Sequence, residues 1–461
     1  MLRLTYFLIL LFVSCSTFVF AQEENTENNS SSDKPVHEYA IDLYGATSIR
    51  IAARQWMLQR GKTDVVPALI RSLRYFPEDS SQTLHLLREL TQQDSGPLWH
   101  DWVLWMQDNP TEPFAKNELF IKTITKRIDK NFQDFFHEDI QRSIRLDEIV
   151  WGGVRKDGIP ALTYPFMTAA KEADYISKDE LVFGISINGD TRAYPYRFMD
   201  WHEMLNDMIG GVSVSLAYCT LCGSGILYKT KITPDEDPLI FGSSGFLYRS
   251  NKLMYDQKTH SLWNQFNGKP VVGSLVQNDI ELEVLPLVTT TWGEWLAQHP
   301  DTKIMSSETG FKRDYTPGAA YGAYFFSDEL MFPASVKDDS LKQKDKVFGL
   351  RISGANKAWP LKLFEQTKVI NDQVGIIPIV LIGDAKTETV RAYRSEGKKF
   401  QLSKNGQLIA DKQEWQQTEN ELIGPKNQKL SRLPGHVAYW FAWSGYFPET
   451  LAKKPPNLTK H

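Results

Sequence analysis

Residues 182–218, VFGISINGDTRAYPYRFMDWHEMLNDMIGGVSVSLAY, align without a gap on residues 347–383, VFGLRISGANKAWPLKLFEQTKVINDQVGIIPIVLIG. Eleven of these 37 positions are identical. Unrelated stretches of ordinary composition would share about two. The match continues with insertions: Tyr248, Arg249 and Ser250 recur as Tyr393, Arg394 and Ser395, while LPLVTTTWGEWLAQHPDT recurs as LPGHVAYWFAWSGYFPET, setting Trp292 on Trp440 and Trp295 on Trp443. Such a chain is an internal duplication, with one unit at about 182–302 and again at 347–450. Each copy reads as strand, Asn-Gly or Ser-Gly hairpin, strand, short helix, strand, further strands and a closing helix. This predicts an α+β unit with helices packed on antiparallel sheet, whose strand order the pattern leaves open.

Ahead of the duplication the texture differs. MLRLTYFLILLFVSCSTFVFAQEEN carries Arg3, an apolar run to Phe20 and small residues at Val19 and Ala21, the anatomy of a signal peptide over 1–21. The alternative is a lipoprotein anchored at Cys15. Residues 22–37 are polar and read as a disordered leader. Over 38–148 apolar residues recur at three and four, interrupted by Gly61 and Pro67, and this spacing predicts paired helices of a HEAT-like repeat domain. The expected organisation is therefore a helical-repeat domain, copy one at 149–302, a connecting region at 303–346, copy two at 347–450 and a tail at 451–461. The region after Ala21 has no apolar run long enough to span a bilayer. The net charge of −4 is reached without a basic patch, so nucleic acid is excluded as a partner and the helical repeats are the place for a protein partner.

The two copies separate what the fold needs from what one copy needs. Shared residues read as structural: Gly189 and Gly354 in the hairpins, Pro195 and Pro360 before the helix, Asn206-Asp207 and Asn371-Asp372 as its end. Unshared polar residues mark copy one, where Trp201, His202, Glu203, Cys219 and Cys222 face Gln366, Thr367, Lys368, Asp384 and Thr387. DWHE reads as a capping box with Asp200 at the N-cap and Glu203 at N3. His202 would then stand at N2, where the helix dipole favours a neutral ring able to bind metal or accept a proton, or merely to pack.

Cys219 and Cys222 are two of three cysteines in 461 residues, and removal of Cys15 with the signal peptide leaves them alone. A thioredoxin-like pair opens a helix whose dipole lowers the thiol pKa, whereas here Gly223-Ser224-Gly225 and an apolar strand follow. A C-x-x-C-G turn between strands resembles half of a metal knuckle, and the absent CH ending excludes covalent haem c. With only two thiolates, the remaining ligands must come from His202 and from Asp256 or His260, and two thiolates with an imidazole suit zinc or copper. No signal for a nucleotide cofactor stands beside it. The alternatives are a thiol–disulfide oxidoreductase and a binding or scaffold protein with a structural disulfide. TGFKRDYTPGAAYGAYF, between the copies, reads as a cleft-lining loop with Arg313 and Asp314 as its polar groups.

WGGVRKDGIPAL, EADYISKDELVFGISINGDTRAYP, DWHEMLND, GGVSVSLAYCTLCGSGILY, FGSSGFLYRSNKLMYDQKTHSLWNQF, TTWGEWLAQHPDT and ELMFP together resemble the DUF3179 family of exported proteins, from about Ile149 to Leu361. The family pattern includes His202, Cys219, Cys222, Tyr255, Asp256, Trp263 and Gln265, and omits His260. The resemblance implies no established activity.

Overall fold

Residues 34–336 and 338–452 are described by a computed structural model; the expected signal peptide with Cys15, most of the leader and residues 453–461 lie outside the described residues. From Val36 onward the chain forms one unit. Its first part is helical: α1 (Val36–Asp42), α2 (Thr47–Arg60), α3 (Val66–Leu73), α4 (Ser80–Thr91), α5 (Trp99–Asp108) and α6 (Asn117–Ile128). The breakers act where the spacing places them. Gly61 ends α2 at φ 65°, donating its N–H to the Met57 carbonyl, and Pro67 sits in the first turn of α3. Buried Asp79 receives Arg50 Nε at 2.6 Å and Arg54 Nη1 at 2.8 Å, holding α2 to the start of α4.

These helices close no core of their own. Leu69, Ile70, Trp102 and Phe120 share one apolar cluster with Phe132, Phe135, Phe246 and Leu253, so the helical layer packs directly on the strands Phe241–Tyr248 and Asn251–Asp256. Arg71 adds hydrogen bonds to the Leu146 and Ile149 carbonyls, and Arg74 one to Trp151 O.

Beyond Ile149 the protein is β-rich. In the first half β1 (Leu181–Ile187), β2 (Asp190–Pro195), α7 (Tyr196–His202), β3 (Met204–Ile209), β4 (Val212–Cys219), β5 (Ser224–Lys229), β6 (Val288–Thr291), α8 (Trp292–Gln298) and β7 (Lys303–Met305) follow in order. After α9 (Gly322–Phe326), the second half runs β8 (Lys346–Ile352), β9 (Ala355–Pro360), β10 (Val369–Val374), β11 (Ile377–Asp384), β12 (Thr389–Arg394), β13 (His436–Tyr439), α10 (Trp440–Tyr446) and β14 (Leu451–Ala452). The strand orders correspond: β6-β1-β2-β7 against β13-β8-β9-β14, and β5-β4-β3 against β12-β11-β10. Pairings keep the same register, Val182 with Pro195 and Val347 with Pro360, and both β2–β7 and β9–β14 are parallel. The second half therefore reaches into what reads as tail in the sequence. It also carries an added meander, so that β10-β11-β12 belong to an eight-stranded sheet.

Side chains repeat the correspondence. Trp295 Nε1 and Trp443 Nε1 each donate at 3.0 Å, to Thr302 Oγ1 and Thr450 Oγ1. Each indole lies on a glycine: a Cβ at Gly184 would sit 2.3 Å from the Trp295 ring, and one at Gly349 would sit 2.1 Å from the Trp443 ring. Gly184→Ala is expected to cost about 1 to 3 kcal/mol, because the indole has no free volume to move into. Thermal unfolding of the variant checks this, and an unchanged midpoint would refute the packing argument.

Two sequence expectations are corrected here. Asn206-Asp207 and Asn371-Asp372 do not end a helix; they lie inside β3 and β10. Asn206 brackets the backbone of Phe241, and Asn371 that of Phe400. Asp207 takes Arg192 and Tyr194, as Asp372 takes Lys357 and Trp359. DWHE is not a capping box either. Its helix starts seven residues upstream of the expected N3, after Pro195, so Asp200 and His202 fall in the last turn of α7 and Glu203 is its left-handed C-cap at φ 54°.

The halves meet reciprocally: β5 lies against β13, and β12 against β6. Thr389 Oγ1 donates to Thr290 Oγ1 at 2.7 Å on one side. On the other, Gly223 lies under the Tyr439 ring, which a Cβ would approach to 3.1 Å.

Candidate functional site

Cys219 ends β4, Thr220–Cys222 form one 3-10 turn, and Gly223 at φ 59° redirects the chain into β5. A left-handed position costs a side chain energy and glycine nothing, so CGSG is what lets two cysteines three apart stand side by side at a strand reversal. Their Sγ atoms face each other at 2.8 Å, both buried, as free thiols. A strand rather than an α-helix follows the turn, so no helix dipole lowers the Cys222 pKa. Burial, then the neighbouring Cys219, pushes the Cys222 thiol well up.

The surroundings come from three directions. Asn251 Nδ2 donates to Cys222 Sγ at 3.3 Å and to Gln265 Oε1 at 2.8 Å, and Gln265 Nε2 donates to the Ala217 and Ser224 carbonyls. Asn251 is fully buried, and its Oδ1 has no protein partner. Glu203 takes Lys252 Nζ at 2.8 Å in a buried ion pair, with Thr220 Oγ1 at 3.4 Å from its other oxygen. From the connecting region, Tyr324 donates its hydroxyl to Leu221 O at 2.7 Å, and Ser250 Oγ donates to Pro333 O at 2.9 Å.

Of the four expected metal ligands, only the cysteines come together. Asn251 touches Cys222, and Asp256 lies five residues further along the same strand. At about 3.3 Å per residue the two are about 17 Å apart. Asp256 instead caps a turn, accepting from Thr259 N at 2.6 Å, Thr259 Oγ1 at 2.8 Å and Trp263 Nε1 at 2.9 Å. His202 has both nitrogens engaged, with Pro160 O 2.7 Å from Nδ1 and Tyr315 OH 2.6 Å from Nε2. A carbonyl only accepts, so Nδ1 carries the proton and the Nε2 lone pair receives the tyrosine hydroxyl. The lone pair a metal would need is taken. Burial holds the imidazole below its ordinary pKa, against the pull of the Pro160 carbonyl. Among the described residues no group of three or more His, Cys, Asp and Glu side chains is arranged to hold a metal ion.

The same geometry explains why these residues are absent from the second half. Trp201 Nε1 donates to Asp314 O at 2.6 Å and its ring faces Arg313 at 5.7 Å, so Trp201, His202 and the cysteine turn are all covered by residues 309–333. At the corresponding positions Gln366, Thr367 and Lys368 are exposed, and Lys368 pairs with Asp384 at the surface. Arg313 and Asp314 anchor this cover through Trp201.

Beyond Gly223 a cavity of about 470 Å³ opens between the halves. Tyr196, Tyr218, Phe325 and Tyr439 form its walls, with Lys344, Lys346 and Glu388 toward the second half. Behind it Asp200 accepts from Tyr218 OH at 3.2 Å, and burial raises its carboxyl to about 7, the Tyr218 hydrogen bond opposing and Glu203 adding to the shift. Asn251 and Lys252 escape sequence reasoning because the strand NKLMYD is buried throughout and shows no alternation; a lysine inside it is the signal.

A family model described as a protein of unknown function (DUF3179) matches residues 156–450, reaching through the second half well beyond Leu361. No curated protein and no solved structure matches the chain. Because the matched span takes in the cysteine turn, its strand partners and both halves of the β-rich region, and covers well over half of the sequence, the chain belongs to the DUF3179 family.

Proposed function

We propose that this chain is a thiol–disulfide redox protein whose centre is Cys219 and Cys222, set in the first of two copies of one ancestral unit. The observation that carries the reading is the pair itself: two buried thiols face each other at 2.8 Å, and among the described residues no third side chain joins them in a metal-binding group. Oxidation breaks two S–H bonds, joins Sγ to Sγ and releases two protons. The two electrons pass to the disulfide of a second molecule, which leaves as two thiols. An export signal at 1–21 would deliver the chain to a compartment where such a couple is used. The corresponding strand orders and Gly–Trp contacts support the duplication, and a helical-repeat origin for α1–α6 rests on their spacing alone.

Because burial pushes the Cys222 thiol up, little of it is thiolate at neutral pH. The rate of disulfide formation is expected to keep climbing with pH beyond the ordinary thiol range, since only the thiolate attacks. The deciding measurement is metal content and thiol titre, before and after reduction, of protein isolated from its own compartment. The expected result is no stoichiometric metal and two thiols that appear on reduction and disappear again with a disulfide oxidant. Stoichiometric zinc or copper lost in Cys219→Ser would overturn the reading in favour of a metal centre, and a disulfide that resists reduction in the folded protein would leave a staple.

A further inference from the structure

We propose that residues 309–333 are a lid over the dithiol, and that its release, with the strands around it staying in place, is the route by which a partner's disulfide reaches Cys219 and Cys222. The use of the lid rests on the redox reading of the pair; the lid itself does not. Both cysteines are buried, so exchange with any second molecule requires a covering layer to move. The layers around the pair differ in what holds them. Cys219 is paired with Ser224 in the β4–β5 ladder, and Asn251, on Cys222 Sγ, is paired with Tyr248 in another antiparallel ladder. Tyr439, which shares an apolar cluster with both cysteines, ends β13, and β13 is paired with β8 through Lys346 to Tyr439 and Val347 to Ala438. Moving any of these layers breaks a run of ladder hydrogen bonds.

Residues 309–333 belong to no ladder. They contain the short helix α9 and no strand. Among the described residues their backbone-to-backbone hydrogen bonds run to one another or to Ser307, as from Ala319 N to Thr316 O and from Gly322 N to Gly318 O. Only Ala320, Tyr324, Phe332 and Pro333 of the segment are buried, and Tyr324 and Phe332 pack with both cysteines. A segment with few buried apolar contacts and no ladder opens at lower free energy than the sheet it lies on. Side chains hold it shut. Tyr324 OH donates to Leu221 O at 2.7 Å, between the two cysteines, and Ser250 Oγ donates to Pro333 O at 2.9 Å. Lys344 Nζ donates to the Tyr324 and Ser327 carbonyls. At the other end Trp201 Nε1 donates to Asp314 O and Tyr315 OH to His202 Nε2, each at 2.6 Å. Copy two has neither the thiols nor these last two anchors, and its Gln366 and Thr367 are exposed. The anchors and the dithiol occur together in one half, as a lid and the group it covers would.

The test labels the reduced full chain with iodoacetamide across a urea series below the unfolding transition, reading Cys219 and Cys222 by peptide mass and amide hydrogen exchange in the same samples. Labelling is expected to depend only weakly on urea until the transition begins, because opening the lid exposes little surface. The amides of 309–333 are expected to share that shallow dependence, while those of β4 and β5 exchange with the steep dependence of global unfolding. Tyr324→Phe keeps the ring and removes the bond to Leu221 O, and it is expected to speed labelling about fivefold. Labelling as steep in urea as global unfolding, or β4 and β5 opening together with 309–333, overturns the lid, and so does an unchanged labelling rate in folded Tyr324→Phe. The wild-type urea dependence decides the matter by itself if the variant does not fold. Shallow labelling of a pair that no disulfide oxidises overturns the redox reading and leaves the lid standing.

Discussion

Replacing Glu419 by alanine lowers the unfolding free energy by about 3 to 5 kcal/mol, the cost of stranding buried charge. Glu419 accepts from Arg391 Nη2 at 2.6 Å and Nε at 2.9 Å, and from Arg432 Nη1 at 2.8 Å, all three groups being buried. Burial alone would raise its pKa, but the guanidinium groups and the bond from His299 hold it well below the ordinary carboxylate range. The pair also joins the halves: Arg391 Nη2 donates to Gln298 Oε1 on α8, and Arg432 Nη2 to Leu287 O ahead of β6. Alanine therefore leaves two guanidinium groups without a counter-charge at the contact between β12 and the first half. Urea unfolding measures the loss, which should change little with salt because water does not reach the cluster. For a carboxylate whose folded pKa is depressed, the stabilisation is present above the unfolded pKa and lost as pH falls, so the difference between wild type and Glu419→Ala should narrow in acid. A loss below about 1 kcal/mol at pH 7 would show that the cluster is only a satisfied surface-type pair.

Asp200→Asn has the opposite sign. Asp200 is buried with a tyrosine hydroxyl and, among the described residues, no cation on it, and its carboxyl stands at about 7 against 3.8 for the free group. Below pH 4 the folded and unfolded chains both hold the proton and the residue contributes nothing to the pH dependence. Between about pH 4 and 7 the unfolded chain has released it and the folded chain has not, so wild-type stability falls as pH rises, by about 4 kcal/mol in all. Asparagine keeps the shape and never ionises. The variant is expected to match wild type near pH 4 and to exceed it by up to that amount above pH 7. Urea midpoints across this range check the trend, and parallel curves would show that Asp200 ionises freely in the folded protein.

The order of strands and helices was legible wherever local chemistry decides it. Gly189 and Gly354 make the hairpins at φ 83° and 79°, and the prolines precede the helical turns. The DWHE motif misled because a capping box and a helix C-terminus followed by a strand can share the same letters; the start at Tyr196, four residues before the expected N-cap, is set by Pro195. Aligning the halves set the cysteines and His202 apart as residues of one half. It did not reveal why they differ, because the cover that separates the halves is a contact between distant segments.

What the sequence by itself determined is therefore local and periodic: the turn that sets Cys219 beside Cys222, the repeated strand and hairpin pattern, and the glycines that admit Trp295 and Trp443. Only the tertiary structure decided the partners. It sent His202 to Pro160 and Tyr315, carried Asp256 along its strand to Thr259 and Trp263, and brought Asn251 and the Glu203–Lys252 pair to the dithiol. A buried polar atom takes the nearest partner that the packed chain offers, and which partner is nearest depends on segments up to about a hundred residues away, which no local pattern encodes.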